Sequence, residues 1–509
     1  LVSTVLLVAS LLLFLCFFVY GFNIYYLTWQ SRKESNLSSK TFNCTKPKVS
    51  VQLPIYNERY VAPRLLKAVV KMAEHYGKDK VQILVLDDST DDTTQILGKE
   101  VEEFHLQGYN IDLIHRNHRD GFKGGALANA LHYTQGEFIA IFDADFIPQK
   151  DFLERTIPHM VADPSLGFLQ CRWGHANPKY NAITKAAALA IDAFFLVEQT
   201  GRQKADCFIN FNGSAGVLRK EAVIDAGGWC ADTLSEDLDL SYRMQIKGWK
   251  YAYLRDLACP AEIPPTIVAF KRQQSRWAQG SIRTARRLVF SLFKKPQLTL
   301  KQKIEALLHL TYYFVHFLMF TSYLLALASV FFRAHVIQLP LKVGVIGSSP
   351  PLWSAFLVAL YLAIAFSTFA VWIMCYIASK EVRMKFVDYL KNIVALTFVG
   401  YGISISNTIA VFKGLFSARS GVFQRTPKYK IESPHDLWRN KKYQIHIQKT
   451  AILELAAGML AVASLAYALS NANIGITPIL TLYAVAYMTV GLLSIRQSVF
   501  KGIEKLLFT

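Results

Sequence analysis

Residues 137–146 read EFIAIFDADF. Five apolar residues, Phe138 to Phe142, run without interruption into two carboxylates, Asp143 and Asp145, that flank a single alanine. A short unbroken apolar run bounded by polar residues is the signature of a strand buried on both faces, as in a parallel sheet covered by helices. Upstream, VSVQLPI (centred on 50–55), VQILVLDD (81–88) and IDLIH (111–115) repeat the pattern, each followed by a helical stretch. This alternation predicts an α/β domain with a Rossmann-like, mostly parallel sheet. Ligands of such sheets sit at the carboxyl ends of the strands, and here those ends carry PIYNE, DDST, HRNHRD and DADF.

A single Asp after a strand is ordinarily a turn or cap residue, and Asp87-Asp88-Ser89 fits that reading. Asp143-Ala144-Asp145 demands more, because two adjacent carboxylates repel and need a cation. A hard divalent ion, Mg²⁺ or Mn²⁺, takes carboxylate oxygens and keeps positions for phosphate, so Asp143 and Asp145 are expected to hold a metal that bridges a diphosphate. The basic run 115–119 and Lys123-Gly124-Gly125 supply cations and a glycine-rich helix entrance, where free N–H groups favour an anion. In the segment 234–240, Ser235 is expected to cap a helix, with Glu236 near its positive end. Capping does not require Asp237, which is placed to act as a general base on an acceptor hydroxyl. Finally, KRQQSRWAQG (271–280) sets Gln273, Arg276 and Trp277 on one helical face; taken alone, Arg and Trp there would be interfacial anchors.

The chain has 509 residues, 52% of them hydrophobic, and a net charge of +19. Residues 4–27 carry no charge, enough for one membrane span of about 20 residues and too long for a signal-peptide core. Further apolar runs lie near 306–332, 352–379, 390–412, 450–470 and 475–495. In basic membrane proteins Lys and Arg gather in cytoplasmic loops beside anionic lipid, so the charge is assigned to membrane lipids and no nucleic acid is expected. The seven cysteines form no CxxC pair, which indicates neither a zinc site nor a disulfide framework. With a cytosolic domain, the sequons at Asn36, Asn43 and Asn212 carry no meaning.

In order, PIYNE, DDS, DAD, FNGSAG (211–216), GGW (227–229), SED and QQSRW resemble the motif series of the membrane-embedded family 2 glycosyltransferases, which include the cellulose, chitin, hyaluronan and mannan synthases. The resemblance covers roughly residues 48–430 and is most similar to cellulose synthase-like mannan and glucan synthases. It implies a GT-A fold, with Tyr56, Glu58, Asp87 and Asp88 at nucleotide-binding positions and Asp143 at the diphosphate, where Lys123 at the glycine-rich helix entrance is also expected to bind. It further implies Asp143 and Asp145 at the metal, Asp237 as catalytic base beside Glu236, Gln273 and Arg276 on the diphosphate, and Trp277 beneath the acceptor sugar. Ser235 stands where the family has Thr. Residues 423–428 (FQRTPK) resemble the FxVTxK gating loop, with Arg425 in place of Val, which implies Thr426 and Lys428 as further diphosphate contacts.

The expected division is an N-terminal transmembrane helix (1–28), a glycosyltransferase domain (45–280), amphipathic interface helices (281–305), a transmembrane hairpin (306–379), an interfacial or re-entrant helix with the gating-like loop (380–449) and a C-terminal hairpin and tail (450–509). Residues 413–449 hold nine Lys/Arg and two acids. If every apolar run spanned, this basic loop would emerge opposite the catalytic domain, against the positive-inside tendency; the run 390–412, rich in Gly and Ser, is therefore expected to lie in the interface or re-enter. The expected activity is inverting, processive β-glycosyl transfer from UDP-glucose or GDP-mannose to a glycan acceptor, giving a β-1,4-type polysaccharide and translocating it. A glycolipid transferase adding one sugar to a lipid or polyprenyl phosphate, and an inactive channel or scaffold, are the alternatives.

Overall fold

A computed structural model describes residues 2–33, 45–230, 232–331, 351–417, 425–439, 441–443, 445–471 and 473–507. Phe423 and Gln424 of the gating-like motif, and the sequons at Asn36 and Asn43, lie outside the described residues.

The apolar runs fold as strands of one sheet: β1 (Val49–Ile55), β2 (Val81–Asp87), β3 (Asn110–His115), β4 (Phe138–Ile141), β5 (Leu166–His175), β6 (Gly216–Arg219) and β7 (Lys250–Ala261). Their spatial order is β3-β2-β1-β4-β6-β5-β7. Every described pairing is parallel except those of β6, which runs antiparallel to β4 and β5. All seven residues of β2 and all four of β4 are buried, as expected for central strands covered on both faces. The α/β architecture with a mostly parallel sheet expected from the alternation, and the GT-A-like fold that the resemblance implied, are thus observed.

The strand order places the functional cleft. From β1 the chain builds outward to β2 and β3 on one side, then crosses back to β4 on the other. This reversal opens a crevice beyond the carboxyl ends of β1 and β4, where open α/β sheets bind ligands. Tyr56 and Glu58 follow β1 there, and Asp143 and Asp145 follow β4.

Among the described residues five helices are long and apolar enough to cross a membrane: Thr4–Ser31, Phe314–Phe331, Ala355–Glu381, Lys449–Ser470 and Ile474–Ser498. A sixth apolar stretch is broken into Phe386–Gly402 and Ser404–Phe416, bent by 52°. At the break Gly402 lies so close to the C-terminal helix that a Cβ would come within 2.6 Å of the Ala486 carbonyl oxygen, and Ser404 Oγ pairs with the Tyr487 hydroxyl at 2.8 Å. Small residues and a local hydroxyl partner let the backbone turn without exposing polar groups.

The helix Ile267–Phe293 carries the Gln273–Trp277 face and runs unbroken through residue 280, where the sequence suggested a boundary. Gly280 does not end it, because the helix packs there on Ser235, whose Oγ occupies the place a Cβ would take. In its C-terminal half Ile282 and Ala285 are buried while Phe290 is 68% and Phe293 41% exposed.

Candidate active site

The strand ends and the helix Ile267–Phe293 enclose a cavity of about 530 Å³. Glu58, Asp88, Asp143, Asp145, Asp237 and Trp277 all line it, as do Tyr56, Lys123, Glu236, Gln273, Arg276, Thr426 and Lys428. The residues singled out in the sequence therefore converge, with one exception. Asp87 is fully buried and faces away: one oxygen accepts from Ser89 N (3.0 Å), the other from Thr94 Oγ1 (2.6 Å), and the latter lies 2.8 Å from His115 Nδ1. It ties the β2 turn to β3 and to the next helix, which corrects its assignment to the nucleotide.

At one end of the cavity Arg119 stacks its guanidinium 3.4 Å above the Tyr56 ring. Arg116 grips Asp88 through two bonds, Nε to Oδ1 (2.7 Å) and Nη2 to Oδ2 (2.6 Å), the fork geometry that fixes a carboxylate. Arg425 donates to the Tyr56 carbonyl (3.2 Å) and sits 3.5 Å from Glu58. Burial, opposed by Arg425, pushes the Glu58 carboxyl up to about 8. Glu58 Oε2 and Thr426 Oγ1 are buried with no hydrogen-bond partner among the described residues, and such groups are costly unless a ligand satisfies them.

In the centre, Lys123 enters from the first turn of the helix Phe122–Ala130. Its Nζ donates to Asp143 Oδ1 (2.6 Å) and the Gly213 carbonyl (2.8 Å) and stands 3.8 Å from Glu236. Burial works against its charge, yet the surrounding Asp143, Glu236 and Asp237 raise its pKa above the ordinary lysine value. Asp145 is held from the opposite side: its Oδ2 accepts from Lys428 Nζ (2.7 Å) and Glu262 N (3.1 Å). Each aspartate of the DAD motif thus has its own lysine.

Glu236 and Asp237 open the helix Glu236–Lys247. Ser235 makes no capping bond, contrary to expectation, since its side chain packs on Gly280. Asp237 Oδ1 instead accepts from Leu238 N at 2.8 Å. Its Oδ2 lies against Gly213, whose φ of +75° suits glycine and whose Cβ, if present, would sit 2.5 Å from that oxygen. Desolvation raises the pKa of both Glu236 and Asp237, and the charges of Lys123 and Arg276 pull against it. Trp277 faces Trp173 of β5, ring centroids 6.5 Å apart. Beyond Trp277 the cavity continues among apolar helices, past His316, Trp372 and Tyr401.

Profiles of two related families match the chain: "Glycosyl transferase family 2" over residues 50–220 and "Glycosyl transferase family group 2" over 138–379. The chain belongs to the family 2 glycosyltransferases, of the cellulose synthase-like type. Among similar proteins, a probable glucomannan 4-beta-mannosyltransferase 11 of Arabidopsis thaliana is 35% identical over 56% of this chain and 66% of its own. Glucomannan 4-beta-mannosyltransferase 1 of Oryza sativa subsp. japonica is 37% identical over 51% of this chain and 50% of its own. The chain spans about half to two thirds of the length of these relatives. A mannosyltransferase from Pyrobaculum calidifontis, solved in complex with GDP-Man and Mn²⁺, superposes with a TM-score of 0.51 at 20% identity over 74% of this chain and 98% of its own, a likeness of fold.

Two features of this family 2 glycosyltransferase escaped the sequence reading. Glu262, between β7 and the Pro264-Pro265 pair, carries no local sign of a role. Ser214, whose Oγ accepts from Asp143 N at 2.9 Å, lies in the FNGSAG tag that the resemblance marked without assigning a part.

Proposed function

We propose that the chain is an inverting, processive β-hexosyltransferase of the membrane that polymerises mannose from GDP-mannose into a β-1,4-linked chain and passes the product into its helical bundle. The observation that carries this reading is one cavity that joins Asp143, Asp145, Asp237, Arg276 and Trp277 and then continues between apolar helices. GDP-mannose is preferred over UDP-glucose because the similar plant proteins are mannosyltransferases and the archaeal fold neighbour binds GDP-Man.

Two hard carboxylates at the end of β4 fit Mg²⁺ or Mn²⁺, and no larger set is at hand: among the described residues no group of three or more His, Cys, Asp or Glu side chains is arranged for a metal. Asp143 Oδ2 and Asp145 Oδ1 accept no hydrogen bond within the described residues, which leaves an oxygen of each for an ion that takes its other ligands from diphosphate and water. When bound, such an ion supplies positive charge to the leaving diphosphate. Lys428, bonded to Asp145, adds a fixed cation at that end, and Arg276, whose charge acts on Glu236 and Asp237, adds another along the same cavity, electrostatic stabilisation set in place before charge develops.

Asp237 takes the proton of the acceptor hydroxyl as that oxygen attacks the anomeric carbon. The bond from this carbon to the diphosphate oxygen breaks in the same step, with inversion. A carboxylate whose pKa is raised by desolvation is a better base for this task than one in water. The Trp277 indole offers a flat apolar face for the acceptor ring at the mouth of the helical passage. The five apolar helices support several membrane crossings. The basic segment after Phe416 returns to the sheet, with Lys428 on Asp145, so it emerges on the side of the catalytic domain; the positive-inside tendency makes that side cytosolic.

The test is incubation of the purified protein with radiolabelled GDP-mannose and UDP-glucose, each with Mg²⁺ or Mn²⁺, followed by sizing and linkage analysis. A polymer of β-1,4-mannose cut by an endo-mannanase is expected. A short organic-soluble product would instead identify a glycolipid transferase, and no transfer from any nucleotide sugar would overturn the enzymatic reading.

A further inference from the structure

Residues 425–432 return from the membrane helices and cross the mouth of the site without regular secondary structure, so their backbone N–H groups need partners from elsewhere. Glu262 supplies them. Its Oε1 accepts from Tyr429 N at 2.7 Å and its Oε2 from Ile431 N at 3.2 Å. Its main chain binds the same neighbours: Glu262 N donates to Asp145 Oδ2 (3.1 Å), and Glu262 O accepts from Lys428 Nζ (2.6 Å). Lys428 Nζ closes the circuit on Asp145 Oδ2 at 2.7 Å. Every polar group of a residue 2% exposed is thus spent on joining the segment to the second aspartate of the DAD motif.

We propose that Glu262 is a positioning residue: its carboxylate clamps residues 425–432 across the diphosphate end of the site and so sets where Lys428 and Thr426 meet the donor. This rests on the reading of Asp143 and Asp145 as the diphosphate end. The carboxylate is the right group for the task, because its two diverging oxygens accept from two N–H groups, Tyr429 N and Ile431 N, that the left-handed turn at Lys430 turns toward the same side of the chain. An amide in its place accepts one and turns a donor toward the other. Lys430, between the two bonded N–H groups, adopts a φ of +53°, a conformation uncommon for lysine that the two flanking bonds hold in place.

Two measurements on the full chain in mild detergent test the clamp. The segment carries tryptic sites at Arg425, Lys428 and Lys430, so Glu262→Gln is expected to speed cleavage between 425 and 431 about tenfold while cuts elsewhere keep their rates. In steady-state transfer the same variant raises donor KM about tenfold, with kcat and acceptor KM within about threefold of the parent; Glu262→Asp, which keeps both oxygens, recovers part of the loss. Cleavage at the parental rate, or a donor KM that does not move, overturns the proposal. Uniformly faster cleavage along the whole chain does so too, since it marks general unfolding. If the parent transfers sugar from no nucleotide donor, the functional reading fails, and the cleavage pattern alone still decides whether Glu262 holds the segment.

Discussion

Lys271, six residues before Trp277, forms an ion pair with Glu454 in which the side chains are 1% and 0% exposed. The pair joins the helix Ile267–Phe293 to Lys449–Ser470, and Ser494 of the C-terminal helix lies 3.5 Å from Lys271 Nζ. Replacing Lys271 by Met removes the cation and keeps most of the volume, so packing is little disturbed and the electrostatic change dominates. Breaking a buried pair from one side costs about 3–5 kcal/mol, because the remaining charge is desolvated without compensation. That is a shift of roughly 10²–10⁴ in the folding equilibrium. Replacing both partners, Lys271→Met with Glu454→Leu, leaves no charge behind and is expected to be neutral to within about 1 kcal/mol or stabilising. Denaturant titration of the purified protein in mild detergent, read by intrinsic fluorescence, compares Lys271→Met, Glu454→Leu and the double variant with the parent. Transfer should follow the same order, because Lys271 anchors the helical turn that leads to Arg276 and Trp277. A single substitution costing less than about 1 kcal/mol, or a double variant no better than the worse single one, would refute the reasoning.

Asp237→Asn is expected to lower kcat by about 10²–10⁴, the span of general-base contributions, with nucleotide affinity within twofold by calorimetry; retained turnover refutes the base assignment. Because desolvation raises the pKa of Asp237, the acid limb of kcat/KM should lie above the ordinary carboxylate range, activity falling as pH drops through that raised value. An acid limb near pH 4 counts against it. The sign for stability is opposite, since a carboxyl with a raised folded-state pKa favours folding at low pH and loses that contribution as pH rises. Trp277→Ala should weaken use of an added oligosaccharide acceptor about tenfold, roughly 1.4 kcal/mol, and leave nucleotide binding near its parental value; equal loss of both rules out a sugar platform. Gly213→Ala meets both the cost of a left-handed φ, about 1–2 kcal/mol, and a Cβ 2.5 Å from Asp237 Oδ2. Its kcat should fall about 10²-fold, as for a misplaced catalytic group, while unfolding shifts by only about 1–2 kcal/mol.

Much of the fold was legible because its signals are local. An apolar run of strand length followed by helical periodicity identifies β1 to β4, and acids at strand ends mark where a parallel sheet opens. The Gly- and Ser-rich composition of the run 390–412 sets it apart from the other apolar stretches, and the 52° bend between Gly402 and Ser404 falls within it. Two local inferences failed for tertiary reasons. Ser235 has the right place for a cap, but a neighbouring helix with a glycine at 280 draws its side chain away. Asp87 has the look of a site residue, but His115 and Thr94 absorb its oxygens.

Taken by itself, the amino-acid order determined the four strands β1 to β4, which segments are apolar enough for a bilayer, and which acids and cations stand at the ends of those strands, because periodicity and composition act over a few residues. Only the tertiary structure decided which charge answers which. Lys123 meets Asp143 twenty positions away, whereas Lys428 reaches Asp145 across 283, and Glu262 fastens a segment that arrives after the membrane helices. Such pairings follow from how distant elements pack, and a burial pattern read along the chain carries no record of them.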